Sequence, residues 1–118
     1  MELRKSLIEQ ARKMSNVRVD KPFEQFPNYE VLRHKKNDKW FGLFMTVEKN
    51  KLGLSGEEYV DILDVKADPE FVSILRNTPG YFPAYHMDKN HWITVLLDGT
   101  IDERKILDLI KDSYNLTI

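Results

Sequence analysis

The chain has 118 residues, 42% of them hydrophobic and 31% charged, with a formal net charge of −1. That length suits one domain around one core, and the near-neutral balance argues against strong nonspecific affinity for nucleic acid by the chain as a whole. The absence of cysteine excludes a disulfide framework, a thiolate zinc site and a thiol nucleophile.

Leu3, Leu7, Ile8, Ala11 and Met14 recur at helical spacing with charges between them. This predicts an amphipathic first helix over residues 2–15, closed by Ser15 and Asn16. The segment lacks the unbroken apolar run of a signal peptide, and no apolar run in the chain approaches the ~20 residues of a membrane helix. A cytoplasmic protein with no membrane association is the expectation. Residues 17–27 contain Pro22 and Pro27 and no sustained period. They read as a connector, with Phe23 and Phe26 laid against the core.

Residues 29–36 alternate loosely, Asn37 and Asp38 supply turn chemistry, and residues 40–47 are rich in aromatic and β-branched side chains. Together they predict a β-hairpin with a basic tip. Residues 49–58 carry two glycines and read as a loop. Residues 59–65 alternate apolar with acidic, predicting a third strand with one wet face. Asp68 and Pro69 open a second helix, because Asp suits the N-cap and Pro the first helical position. Residues 82–87 and 92–97 predict a second hairpin turning at Asp88-Lys89-Asn90. Thr100 and Glu103 match a capping box at the start of the last helix, whose apolar face is Ile106, Leu107, Ile110 and Tyr114. The order α-β-β-β-α-β-β-α has no βαβ pattern. It predicts an α+β fold, a single domain over residues 1–118 with helices packed on an antiparallel sheet.

The chemistry-bearing residues are few. His86, Asp88 and His91 crowd the second turn, but two histidines fall short of the three protein ligands of a catalytic zinc site. They read more simply as hydrogen-bonded turn residues, and His34 as a solvated loop residue. The serines sit in no nucleophile elbow, and no phosphate-binding glycine loop or zinc-protease motif is present. Glu57, Glu58, Asp61 and Asp64 read as a solvated acidic face. Trp40, Phe41 and Phe44 could stack on unpaired bases, but at strand spacing they read as core. The clearest functional signal is charge. Six Lys/Arg lie between Arg33 and Lys51 against Asp38 and Glu48, while six acidic residues lie between Glu57 and Glu70 against Lys66. A hairpin tip bearing Arg33, Lys35, Lys36 and Lys39 can lie along a phosphate backbone.

The ordered set Pro22-Phe23, Lys39-Trp40-Phe41, Lys66-Ala67-Asp68-Pro69-Glu70, Pro79-Gly80, Tyr85-His86-Met87, Lys89, His91-Trp92 and Ser113-Tyr114 resembles the MmcQ/YjbR family of small bacterial proteins. The resemblance covers nearly the whole chain. It implies the same α+β order and a "double wing" DNA-binding surface in which hairpins act as wings. On that reading Lys89 and His91 supply the second wing beside Arg33, Lys35, Lys36 and Lys39. DNA is the expected partner, with a regulatory role, no enzymatic activity and no cofactor. A protein- or small-ligand-binding module with no nucleic-acid role is the alternative, supported by the net charge and the acidic segment.

Overall fold

A computed structural model describes residues 2–118. Helix α1 spans Glu2–Arg12, and strands β1 (Val17–Asp20), β2 (Glu30–His34) and β3 (Trp40–Glu48) follow. A short 3-10 turn at Lys49–Leu52 leads to β4 (Tyr59–Lys66), helix α2 (Pro69–Leu75), strands β5 (Tyr81–Pro83) and β6 (Trp92–Leu96), and helix α3 (Glu103–Thr117). All six strands pair antiparallel in one sheet, in the order β1-β2-β3-β4-β6-β5. The fold class is the one expected. The residues read as a connector contribute an additional edge strand, β1, which pairs Val17 with His34 and Asp20 with Val31.

Strand alternation gives the sheet two apolar faces. On one, Leu32, Phe41, Phe44, Leu63, Val65, Ile93 and Val95 pack beneath Leu7, Ile8 and Ala11 of α1, Val72 and Leu75 of α2, and Ile106, Leu109 and Ile110 of α3. On the other, Val31, Leu43, Met45, Val47, Ile62 and Leu96 form a second cluster. No helix covers it. Phe23 and Tyr29, Leu52 and Leu54, and Tyr85 and Met87, from three segments outside the strands, close over it instead, beside Phe82 of β5. The wet face expected of β4 is therefore dry, and Asp61 and Asp64 are 4% and 0% exposed. β4 lies between β3 and β6 at the centre of the sheet, where both faces are covered.

Phe23 is held edge-on between Tyr29 and Trp40, at 6.0 and 5.8 Å between ring centroids. Phe26 stacks on Tyr29 but stays 48% exposed, so only one of the two connector phenylalanines reaches the core. Gly80 adopts φ +92, and a Cβ there would meet Ile101 at 2.8 Å. Only glycine lets this turn approach the start of α3 so closely.

Two local expectations change. The second hairpin pairs only over β5, from Tyr81↔Val95 to Pro83↔Ile93. Beyond Pro83 the Tyr85 N–H donates to the Thr94 hydroxyl, and His86 turns the chain at φ 67, so residues 84–91 leave the ladder. The capping box does not form either. Helix α3 begins at Glu103, whose carboxylate accepts from Ser6 Oγ (2.6 Å) and Gln10 Nε2 (2.7 Å) of α1, while the Thr100 N–H donates to Asp98. A tie between two helices replaces the local cap.

Candidate nucleic-acid interface

The β2–β3 turn forms as expected, and its lysines are presented to solvent. Lys35, Lys36 and Lys39 are exposed, and none has an ion-pair partner among the described residues. Asp38 occupies the left-handed region at φ 60, and its carboxylate takes Arg18 at 2.9 Å, so the one acidic side chain of the turn is occupied. Arg33 is less free than its neighbours. Its guanidinium lies over the Trp40 ring at 5.7 Å and stands 3.7 Å from Asp20.

The base of this turn is pinned. His34 is not the solvated residue expected from its basic surroundings but is 2% exposed. Strand alternation turns its ring toward the helices, against Phe41 (4.8 Å) and Tyr114 (4.5 Å). Its Nε2 lies 2.7 Å from Thr117 Oγ1, and Asn37 Nδ2 donates to the Thr117 carbonyl at 3.1 Å. Burial pushes the His34 imidazole below its ordinary value, so the neutral ring is favoured. Helix α3 thus clamps the turn, and the lysines project from a fixed base.

The second predicted wing is built differently. Register places it at the same end of the sheet, because Lys66 of β4 pairs with Trp92 of β6 just as Gly42 of β3 pairs with Val65. β3 and β6 are two strand spacings apart, about 10 Å. Lys89 turns back, its ammonium donating to the Ala84 carbonyl at 2.7 Å. His91 is engaged by Asp88, Nδ1 to Oδ2 at 2.6 Å. The Asn90 N–H and that imidazole together hold the Asp88 carboxyl below its usual range. His86 lies against Tyr85 instead, 4.0 Å between ring centroids, and the described residues hold no cluster of three or more candidate metal ligands. Exposed Asp68 and Asp88 interrupt the positive charge between the two turns.

Beneath this loop lies a group that the periodicity did not reveal. The Asp64 carboxylate accepts from Thr94 Oγ1 at 2.5 Å, and Thr94 Oγ1 in turn accepts the Tyr85 N–H at 2.9 Å. Asp64 Oδ2 has no partner among the described residues. Burial pushes this carboxyl up to about 7, against the opposing pull of the Thr94 hydrogen bond and the Lys89 charge. The signal that marks it in the sequence is an acidic residue set between Leu63 and Val65 in an otherwise apolar strand. Its partner, thirty residues on, depends on strand register.

The family model YjbR matches residues 12–116. The uncharacterized protein YyaQ of Bacillus subtilis (strain 168) is 43% identical over 114 residues, covering 97% of each chain. YbdF of Escherichia coli O157:H7 is 41% identical over 61 residues, about half of each chain. Among solved structures, a Pseudomonas syringae protein matches with a TM-score of 0.93 at 47% identity over 98% of each chain. A Deinococcus radiodurans protein with the family-model domain DUF419 shares the fold at TM-score 0.73 and 24% identity, over 95% of this chain and 75% of that one.

Proposed function

The chain belongs to the YjbR family, and from that premise we propose that it is a non-enzymatic, cytoplasmic DNA-binding protein that grips the phosphate backbone with its β2–β3 turn. One observation carries this reading: Lys35, Lys36 and Lys39 are exposed and unpaired on a turn clamped to α3. A fixed base lowers the ordering cost of binding. Arg33 flanks the contact from above Trp40, and Lys89 and His91, already partly engaged, give a weaker second contact from the same end of the sheet. Contacts to phosphate position a protein without reading sequence, so no base preference follows. Three to four phosphate contacts correspond to a log–log salt slope of roughly −3, and to weak, micromolar-or-poorer binding at physiological salt.

Fluorescence anisotropy with a labelled duplex across a salt series tests the proposal. Binding at low salt should decline with that slope, and Lys35→Glu/Lys36→Glu should abolish it. Absence of binding at low salt, or an unchanged affinity in the double variant, refutes it.

A further inference from the structure

At the opposite end of the sheet from the basic turn, α1 and the segment after β1 stand apart and leave an open groove of about 650 Å³. That volume is within the range of small-molecule sites. Its floor is polar and charged. Arg4 reaches down from α1 and donates to Thr46 Oγ1 (3.0 Å), Asp61 Oδ1 (3.3 Å), Glu30 Oε1 (3.1 Å) and the Asn28 carbonyl. Both terminal nitrogens of the guanidinium are thereby engaged, while the carboxylates keep free acceptor capacity. Asp61 Oδ1 also takes the Thr46 hydroxyl, while Oδ2 is buried without a partner among the described residues. Glu30 is the carboxylate a ligand reaches first, its side chain being 20% exposed against 5% for Asp61.

The rim has the opposite character. Lys5, Arg12 and Lys21 line the groove against a single exposed acid, Glu9, so the rim is net cationic, and the three cations have no ion-pair partner among the described residues. Beside them Tyr59, 65% exposed, presents an aromatic ring on a strand whose next five residues are at most partly exposed.

These three features select a ligand class. The floor asks for N–H donors, the rim for an anion, and Tyr59 for a flat partner. A polyamine would be repelled by the rim, and a bare phosphate would leave the floor carboxylates unmatched. We propose that the groove binds a guanine nucleoside monophosphate, with the N–H edge of the base on the Glu30 carboxylate, the ring against Tyr59 and the phosphate on Lys5, Arg12 and Lys21. Guanine carries adjacent ring and amino N–H groups that pair with a carboxylate, and aromatic stacking adds to them. The site lies apart from the β2–β3 turn and does not depend on the DNA-binding reading.

Isothermal titration calorimetry on the full chain at fixed ionic strength tests this with GMP, IMP, AMP and inorganic phosphate. GMP should bind. IMP, which lacks the amino group, should bind on the order of tenfold more weakly, because a polar site left unmatched discriminates strongly. AMP and phosphate should bind more weakly still. Tyr59→Ala and Arg12→Glu, both surface changes, should weaken GMP at least severalfold without lowering the melting temperature. Lys35→Glu/Lys36→Glu should leave GMP binding intact. No GMP binding at millimolar concentration, equal binding of GMP and phosphate, or GMP binding indifferent to Tyr59→Ala and Arg12→Glu would each overturn the proposal.

Discussion

Asp61 and Asp64 stand three residues apart on the same central strand, both almost wholly buried, and they meet opposite surroundings. Asp61 faces the helices and meets the Arg4 guanidinium. Asp64 faces the irregular segments and meets only the Thr94 hydroxyl at hydrogen-bonding distance. One is an ion pair in a polar node. The other is a solitary acid whose carboxyl burial raises to about 7. The difference shows that strand alternation decides which layer a side chain enters, and that the layer decides whether a buried charge is compensated.

The largest effect that can break this comparison comes from Arg4. Arg4→Ala strands Glu30 and Asp61 together without their cation, and a loss of about 3–5 kcal/mol is expected in urea denaturation. A loss under 1 kcal/mol would mean that Asp61 is no better compensated than Asp64.

The next effect tests Asp64 through pH. A carboxyl raised in the fold is protonated there while the unfolded chain is already ionised, so its stabilisation is present below its ordinary value and is lost as pH climbs through about 7. The rise from 3.8 to about 7 corresponds to at most roughly 4 kcal/mol. Wild-type stability should therefore fall relative to Asp64→Asn between about pH 4 and pH 8. His34, whose lowered imidazole costs stability as pH drops below its ordinary value, is common to both proteins and cancels in the difference. Parallel pH profiles would contradict the assignment.

A smaller effect sharpens the same point. Thr94→Val removes the hydrogen bond that holds the Asp64 value down and leaves the Tyr85 N–H without its acceptor. A loss of about 1–3 kcal/mol is expected, with the Asp64 titration, followed by carboxyl carbon NMR, moving upward. A downward move would place another donor on Asp64.

Much of the architecture was readable before any coordinates. The periodicity of α3, the alternation of β2 and β3, and Pro69 at the first helical position appear where the residues predicted them, while α1 forms on its predicted stripe but ends at Arg12, three residues short of the expected residue 15. The basic turn was equally legible, because turn chemistry and charge are local. What was hidden depends on partners far along the chain. His34 looks solvated among lysines until Thr117, 83 residues on, lies over it. Arg4 was one of several charges in an amphipathic helix, although its spacing to Leu7 and Ile8 already put it on the buried stripe. The burial of Asp61 depended on Arg4, 57 residues away, and that of Asp64 on loop segments whose path no short-range pattern encodes. Lys89 reads as a second wing only if the hairpin continues past Pro83, where a side-chain hydroxyl and a left-handed residue end the ladder.

The measurement that bears most directly on the account is amide chemical-shift mapping of the labelled protein as a short DNA duplex is added at low salt. Binding by the clamped basic turn predicts the largest shifts at residues 35–39, smaller ones at residues 88–91, and none along the α1 groove at Lys5 and Arg12. Shifts centred on that groove, or none at residues 35–39, would contradict it.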